Sequence, residues 1–330
     1  MPAGTVTVET PARLHFGLLD LRATAARRFG GIGAPAPGFS TRVSVSLADT
    51  LDAVSANPAH AAQADRAVEF ARRFLTHYRL PGGATIDVER AIPPHAGLGS
   101  GTQLALSVAL ALAELHGVAA PVPELAHAVG RARRSAVGTW TFAGGGFVVE
   151  GGRRPEGALA SPLLARVMFP ASWRCVVAIP DTTLGVSGEA EAAAFAELPV
   201  PDARDVERIA YLILVTMLSA LAEGDVVSFG AALTEVQEIN GHWFSQAQGG
   251  TFAPGPSADL VQRMREWGAA GVGQSSWGPA VYGIVDGDDA ARTLANRVRA
   301  SLGAHGIVEA GAFPETGARV RRRVSPHAGS

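Results

Sequence analysis

The alternation of apolar and polar residues in three early segments predicts β-strands. Residues 5–10, 41–50 and 84–93 alternate in this way, and many of their apolar positions are β-branched. Two longer segments carry apolar residues at helical spacing instead. Residues 64–80 end at a Pro-Gly stop, and residues 98–116 are apolar on nearly every side. The pattern therefore predicts a half-exposed helix and a buried helix among the early strands.

The same criteria extend the prediction along the chain. Further strands are predicted at 147–152, 173–180, 280–285 and 306–310, and further helices at 122–136, 187–197, 203–223, 225–240, 257–270 and 288–302. Residues 151–162 are typical of a linker or surface loop, and the basic tail 318–330 is predicted to be frayed. Helices and strands mix without strict alternation, which favours an α+β protein over a doubly wound sheet. We expect two domains, residues 1–165 and 166–330.

Composition narrows the class of protein. The chain has 330 residues, 47% of them hydrophobic and 18% charged, as expected for a globular protein. A net charge of -2 argues against nucleic acid as a partner, and no apolar run reaches the roughly 18 residues needed to cross a membrane. The N-terminus lacks the pattern of a signal peptide, and a single cysteine, Cys175, cannot form an intramolecular disulfide. These features predict a cytoplasmic protein.

The chain contains no lysine, which restricts its chemistry. Schiff-base catalysis, a pyridoxal-phosphate anchor and a P-loop all need that residue. Yet residues 97–103, GLGSGTQ, form a glycine-rich turn that runs into the buried helix. Such a turn brings backbone N–H groups and a helix N-terminus close to an anion, and it predicts phosphate contacts from Gly97, Gly99, Ser100, Gly101, Thr102 and Gln103. The alternative is a turn that only packs the helix against a sheet.

A second glycine-rich stretch, residues 268–285, lies in the other half of the chain. There Gln274, Ser275 and Ser276 can donate hydrogen bonds, and Trp277 can stack on an aromatic substrate. Trp277 can equally belong to the core, and the stretch can serve packing alone. Because both stretches offer hydroxyls and backbone amides, we expect them to line one cleft from two sides.

Several charged residues are further site candidates. Arg13 and His15 alternate in an apolar frame, so they share one face of a strand. His95 precedes the glycine loop and is a candidate to contact an anion bound there. The alternative is a polar turn residue without a binding role. Arg131 and Arg134 are three residues apart on the predicted helix 122–136 and hence lie on one face, where they are candidates to bind an anionic group of a ligand. The alternative is that this face is a solvated surface.

The motifs PARLHFG, PPHAGLGSGTQLA and GVGQSSWGPAVYG, in this order, resemble those of the galacto-, homoserine-, mevalonate- and phosphomevalonate kinase superfamily. That resemblance implies an N-terminal domain like domain 2 of ribosomal protein S5, followed by a ferredoxin-like domain. Kinases of this superfamily commonly have serine at the position of Gly101 and often pair a lysine with an aspartate. This chain has neither feature in that form, so kinase activity is disfavoured but stays open.

Within that superfamily the segments RLHFGLLDL, RRFGGIG, GLGSGTQLALSVA, GGGFVVEGG and GVGQSSWGPAVYG look like those of the β-ribofuranosylaminobenzene 5'-phosphate synthases. The resemblance implies condensation of 5-phosphoribosyl 1-pyrophosphate with 4-aminobenzoate, or 4-hydroxybenzoate in some members, with release of CO2 and pyrophosphate. That is an early step of tetrahydromethanopterin biosynthesis. It also implies Mg²⁺ and a homodimer.

Three residues are candidates for catalysis, and the same resemblance assigns the role of the first of them, Asp20. Asp20 is expected to bind Mg²⁺ or the ribose hydroxyls, and Arg28 to bind phosphate with its planar guanidinium. His15 is expected to act in catalysis. The alternatives are a turn cap for Asp20 and a surface arginine for Arg28. Two other functions stay open, an ATP-dependent small-molecule kinase and a ligand sensor without catalytic activity.

Overall fold

The computed structural model describes residues 4–22, 27–154, 160–180 and 198–324. The strands in these ranges are β1 (Gly4–Asp20), β2 (Phe29–Ala48), β3 (Asp52–Val54), β4 (Gly83–Arg90), β5 (Phe147–Glu150), β6 (Leu163–Val167), β7 (Trp173–Ile179), β8 (Gly271–Gln274), β9 (Val281–Asp286), β10 (Ile307–Ala312) and β11 (Arg319–Val324). The helices are α1 (Ala61–Tyr78), α2 (Ser100–His116), α3 (Val122–Ala128), α4 (Val137–Ala143), α5 (Ala203–Tyr211), α6 (Leu218–Glu223), α7 (Val226–Gln248), α8 (Pro256–Glu266) and α9 (Asp288–Leu302). A π-helical segment, Leu212–Met217, joins α5 to α6. The predicted helix at 187–197 lies outside the described residues.

The first sheet is built on the long antiparallel pair β1 and β2. Its strand order is β11-β1-β2-β4-β3, with β5 paired to β2 and β6 to β5. Alternate residues of β1 are buried, among them Val6 and Val8, and these pack against α1 and α2 in one hydrophobic core. Ten of the residues of α2 are buried, which confirms that this helix is enclosed on most sides.

The second sheet is antiparallel and has the order β10-β7-β9-β8. Its elements follow the chain as strand, helices, two strands, helix and strand, which is the ferredoxin-like arrangement. Side chains of α8 and α9, such as Leu260 and Leu294, pack against Val176 of β7 in a separate core. The α+β prediction and the ferredoxin-like second half are therefore confirmed. Within the described ranges no helix is both long and apolar enough to cross a membrane.

One local prediction is incomplete and another is wrong, because tertiary context overrides the pattern. The strand predicted at 41–50 begins at Phe29, and residues 31–37 are buried although they are rich in Gly and Pro. The helix predicted at 122–136 ends at Ala128, because Gly130 and Ala132 have left-handed backbones with φ of 73° and 59°. Arg131 and Arg134 consequently do not share a helical face.

The basic tail is also ordered where it was predicted to be frayed. Residues 319–324 form β11, which pairs antiparallel with β1 from Gly4 to Glu9. Residues 325–330 lie outside the described part of the chain. The predicted division at residue 165 stays a prediction, although β6 runs across it and β11 returns from the second half to the first sheet.

Helix α7 joins the second half to β1 through buried amide side chains. The Asn240 Oδ1 atom accepts the Leu18 N–H at 2.5 Å, and Asn240 Nδ2 donates to the Leu18 carbonyl at 3.1 Å. The Gln237 Nε2 atom donates to the Phe16 carbonyl at 2.5 Å. The register of β1 against β2 shifts between His15 and Gly17. Since such a shift leaves backbone groups without a strand partner, α7 provides the partners that these groups need when buried.

We expect Asn240→Ala to destabilise the protein by about 2–5 kcal/mol, because it leaves both the N–H and the carbonyl of Leu18 buried and unpaired. Urea unfolding measures the loss. The matched control is Asn296→Ala on the exposed face of α9, where we expect a change within about 0.5 kcal/mol. Equal effects of the two substitutions would show that Asn240 does not join the halves.

Candidate active site

The glycine loop runs directly into the N-terminus of α2. Gly97 and Gly99 have left-handed backbones with φ of 76° and 74°, a conformation that residues with a side chain rarely adopt. Gly99 is the N-cap residue of α2, and no side chain caps the helix there. The first N–H groups and the positive end of the helix dipole are consequently left to attract an anion.

The second glycine-rich stretch lies directly against the first. The Ser275 Oγ atom donates to the Gly97 carbonyl at 2.8 Å, and the Ala280 N–H donates to the Ala96 carbonyl at 3.2 Å. A Cβ atom on Gly97 would lie 2.1 Å from the Ser275 carbonyl oxygen, so only glycine permits this approach. The two stretches, 178 residues apart at this contact, therefore converge as the sequence predicts.

Arg13 and His15 lie at the junction of the two stretches. Arg13 Nη1 donates to the Gly97 carbonyl at 2.5 Å, and the Arg13 N–H donates to the Leu98 carbonyl at 3.0 Å. The His15 N–H donates to Ser275 Oγ at 3.0 Å. Burial, together with the positive charge of Arg13, lowers the pKa of His15 to about 3. The imidazole is therefore uncharged at neutral pH.

Two guanidinium groups crowd the position of Gly101 at the start of α2. A Cβ atom there would lie 2.5 Å from Nη2 of Arg66 and 2.6 Å from Nη2 of Arg131. Burial lowers the pKa of Arg66, and among the described residues this guanidinium forms no ion pair with a carboxylate. An arginine stays protonated in proteins despite such a shift, so Arg66 brings positive charge to the loop. Sequence reasoning missed Arg66, which is one of several arginines in α1.

A buried carboxylate, also missed from the sequence, lies behind His15. Glu150, the last residue of β5, has no exposed surface. Its Oε1 atom accepts hydrogen bonds from Ser135 Oγ and from the Ala136 N–H, both at 2.8 Å. Burial raises the pKa of Glu150, and those hydrogen bonds act in the opposite direction. The only signal in the sequence is an acidic residue that ends an apolar strand.

Gln103, a predicted phosphate contact, forms hydrogen bonds with buried groups of the protein. Its side chain is fully buried, with Oε1 accepting from the Thr10 hydroxyl and Nε2 donating to the Gly138 carbonyl, each at 3.0 Å. These bonds join α2 to β1 and α4. The geometry gives Gln103 a structural task in the loop.

Two predicted residues of the second stretch are also engaged in packing. Gln274 Oε1 accepts the Ala253 N–H at 2.7 Å, and its Nε2 donates to the Ser276 carbonyl at 3.1 Å. Trp277 is 7% exposed, and its ring meets that of Phe244 edge-on at 4.8 Å between centroids. Its stacking on an aromatic substrate stays a prediction.

The other predicted contacts are exposed or partly buried. His95 and Ser276 are exposed and have positive φ angles of 57° and 56°. Ser100 and Thr102 are partly buried in the first turn of α2, and Arg134 is partly buried next to Ser135. Their contacts with substrate stay predictions.

Asp20 and Arg28 lie together at the far end of the pair β1 and β2. Both oxygens of Asp20 bind the guanidinium of Arg22, at 2.8–3.0 Å, and the Arg28 guanidinium lies 5.1 Å from the ring centroid of Phe29. In the described ranges, no hydrogen bond joins Asp20 or Arg28 to residues 97–103. Their assigned roles stay predictions.

The described residues do not fit a preformed magnesium site. In those ranges no three His, Cys, Asp or Glu side chains converge as metal ligands. Asp20, the predicted ligand, is occupied by Arg22. Mg²⁺ often reaches proteins through few carboxylates plus substrate phosphate oxygens, so it would have to arrive with a diphosphate.

We expect Gly97→Ala to separate the two stretches, because the added Cβ atom would meet the Ser275 carbonyl oxygen. The control is Gly117→Ala, at a similar φ of 69° but with open space around the new atom, where only backbone strain of about 1–2 kcal/mol applies. Thermal unfolding should show a clearly larger loss for Gly97→Ala. A loss no larger than that of Gly117→Ala would contradict the close approach.

Comparison with known proteins identifies relatives of the chain. The family model described as GHMP kinases N terminal domain matches residues 65–145, and that described as GHMP kinases C terminal matches residues 217–304. A beta-ribofuranosylphenol 5'-phosphate synthase from Methanothermobacter thermautotrophicus is 36% identical over 296 residues, covering 84% of this chain and 88% of that protein. A protein of the same name from Archaeoglobus fulgidus is 33% identical, covering 84% and 87%.

A solved structure supports the fold. The homoserine kinase from Cytophaga hutchinsonii superimposes with a TM-score of 0.71 at 17% identity, covering 96% of this chain and 97% of that one. At this identity the likeness concerns the fold alone, and it confirms the predicted kinase-superfamily architecture. From the sequence relatives and the two domain matches, the chain belongs to the family of the beta-ribofuranosylphenol 5'-phosphate synthases, which has the GHMP kinase fold.

Proposed function

We propose that the chain is a decarboxylating phosphoribosyltransferase. It joins 5-phosphoribosyl 1-pyrophosphate to 4-aminobenzoate and yields β-ribofuranosylaminobenzene 5'-phosphate, CO2 and pyrophosphate. Membership of a family whose named relatives are beta-ribofuranosylphenol 5'-phosphate synthases supports a synthase activity of this type, and the amino substituent of the arene is part of the proposal. Mg²⁺ bound to the diphosphate oxygens, a homodimeric assembly and a cytoplasmic location belong to the same proposal.

The observation that carries the proposal is the pair of guanidinium groups at Gly101. The kinases of this superfamily commonly have a serine there, and its Cβ atom would lie only 2.5 Å from Arg66 and 2.6 Å from Arg131. In this chain, positive charge therefore occupies the place of a hydroxyl at the start of α2. Fixed positive charge beside a helix N-terminus suits a diphosphate that gains negative charge as it leaves.

The proposed reaction needs no lysine. The bond between ribose C1 and the diphosphate oxygen breaks, and its electron pair leaves with the diphosphate. The ring carbon that bears the carboxylate attacks C1, because the para amino group makes that carbon electron-rich. The bond to the carboxylate then breaks, and its electron pair restores the aromatic ring as CO2 departs. Since the ring itself takes up the electron pair of the broken bond to the carboxylate, no pyridoxal phosphate or Schiff base is required.

The direct test is incubation of the purified protein with 5-phosphoribosyl 1-pyrophosphate, Mg²⁺ and 4-aminobenzoate labelled in its carboxylate. We expect labelled CO2 and pyrophosphate in equal amounts. A parallel incubation with 4-hydroxybenzoate identifies the preferred para substituent. If neither acid releases CO2, the proposal is wrong, and phosphorylation of a small molecule by ATP would assign a kinase instead.

We expect Arg66→Gln to reduce kcat/KM for 5-phosphoribosyl 1-pyrophosphate by about 1.5–3 kcal/mol, roughly 10- to 150-fold, because a charged hydrogen bond to the diphosphate is lost. The matched control is Arg73→Gln in the same helix, whose guanidinium is exposed and paired with Glu69 at 2.8 Å. That variant should keep the wild-type value. Equal values for Arg66→Gln and wild type would remove Arg66 from the site.

A further inference from the structure

A chain of hydrogen bonds leads from His15 to the buried carboxylate of Glu150. The His15 Nε2 and Ser135 Oγ atoms are 3.1 Å apart, and Ser135 Oγ donates to Glu150 Oε1 at 2.8 Å. The Val137 N–H donates to the same Ser135 oxygen at 3.2 Å. His15 is 7% exposed and Glu150 has no exposed surface, so each of these bonds matters to the stability of the site.

The donors and acceptors in this chain determine the tautomer of His15. Backbone N–H groups only donate, so Glu150 Oε1 accepts from Ala136 and Ser135 Oγ accepts from Val137. The single hydrogen of the Ser135 hydroxyl is used on Glu150. Its oxygen can then only accept from His15, which requires the hydrogen of the imidazole to be on Nε2.

The remaining ring nitrogen, Nδ1, then has a free lone pair whenever His15 is neutral. Burial and the nearby charge of Arg13 keep it neutral above a pKa of about 3. The His15 backbone N–H is bonded to Ser275, which also binds Gly97, so the residue is fixed where the two glycine-rich stretches meet. A lone pair there attracts an N–H or O–H donor and repels the oxygens of a phosphate or carboxylate.

We propose that Ser135 and Glu150 are positioning residues that hold His15 as the Nε2–H tautomer, so that its Nδ1 accepts a hydrogen bond from an N–H or O–H group of the substrate. This inference rests on the proposed function for the identity of that substrate. The proposed substrates carry two kinds of donor, the para amino group of the arene and the hydroxyls of the ribose. A bond from the amino group to Nδ1 would increase the electron density of the attacking ring carbon.

The test is nitrogen-15 NMR of the imidazole rings in histidine-labelled full-length protein, with the His15 signals assigned from their loss in His15→Gln. We expect a protonated Nε2 and an unprotonated Nδ1 that stay unchanged between pH 8 and pH 5. An Nδ1–H tautomer or a charged ring in this range would overturn the proposal. This readout does not need turnover, so its failure is distinguishable from failure of the synthase activity.

Three variants separate positioning from folding. Ser135→Ala removes the hydroxyl oxygen that accepts the His15 Nε2 hydrogen. We expect His15 to lose its single tautomer while the signals of the other histidines persist. Glu150→Gln keeps an oxygen that accepts from Ser135 and Ala136, so the tautomer should be retained. The control Ser245→Ala, at a partly buried site in α7 where the hydroxyl donates to the His242 carbonyl, should leave the His15 signals unchanged. An unaltered tautomer in Ser135→Ala would overturn the proposal.

Ligand additions identify the donor. If the amino group binds His15, 4-aminobenzoate should shift the Nδ1 signal and benzoate, which lacks that group, should not. If the ribose hydroxyls bind it, 5-phosphoribosyl 1-pyrophosphate alone should produce the shift. The role of Nδ1 as acceptor would be overturned if neither substrate alone shifts the signal, and if the two substrates added together with pyrophosphate do not shift it either.

Discussion

The close approach of two backbones at Gly97 is the constraint on which the rest of the site depends. The carbonyl of this residue accepts hydrogen bonds from both Arg13 and Ser275. Any side chain at residue 97 would meet the Ser275 carbonyl oxygen. One small residue therefore brings the start of α2, the strand β1 and the turn between β8 and β9 to the same place.

The irregularity of β1 is what allows this strand to serve both the fold and the site. Its register against β2 shifts twice, between Pro11 and Arg13 and again between His15 and Gly17. Regular strand pairing would use the backbone groups of this region. The shifts release them, and Leu98, Ser275 and the amide side chains of α7 bind them instead. Arg13 is therefore held by Gly97 and Leu98 of the first half and His15 by Ser275 of the second half, which limits their freedom in the way a precise site requires.

The charges at the site reflect an arrangement without lysine. Arg66 and Arg131 approach the start of α2 in the space that a side chain at Gly101 would occupy. The Arg66 guanidinium loses solvation there, as the lowered pKa indicates, and no carboxylate in the described ranges offsets that loss. An anionic ligand would offset it. Glu150 is buried against Ser135 and Ala136, and its carboxylate is connected to His15 through the Ser135 hydroxyl.

The amino-acid sequence by itself determined those features that depend on neighbours along the chain. The helix predicted at 288–302 matches α9, the buried character of α2 follows from its apolar run, and the glycine motifs indicated the superfamily and the meeting of two loops.

Local patterns failed where distant residues decide the outcome. The Gly- and Pro-rich start of β2 is a strand because β1 and β5 pair with it, and the basic tail is a strand because β1 offers an edge. Ser135 meets His15 across 120 residues of chain, Glu150 meets Ser135 across 15, and Arg66 reaches Gly101 from another helix. Periodicity records which face of an element is buried, but it carries no information about which distant side chain that face will meet, so the tertiary structure alone brought these groups together.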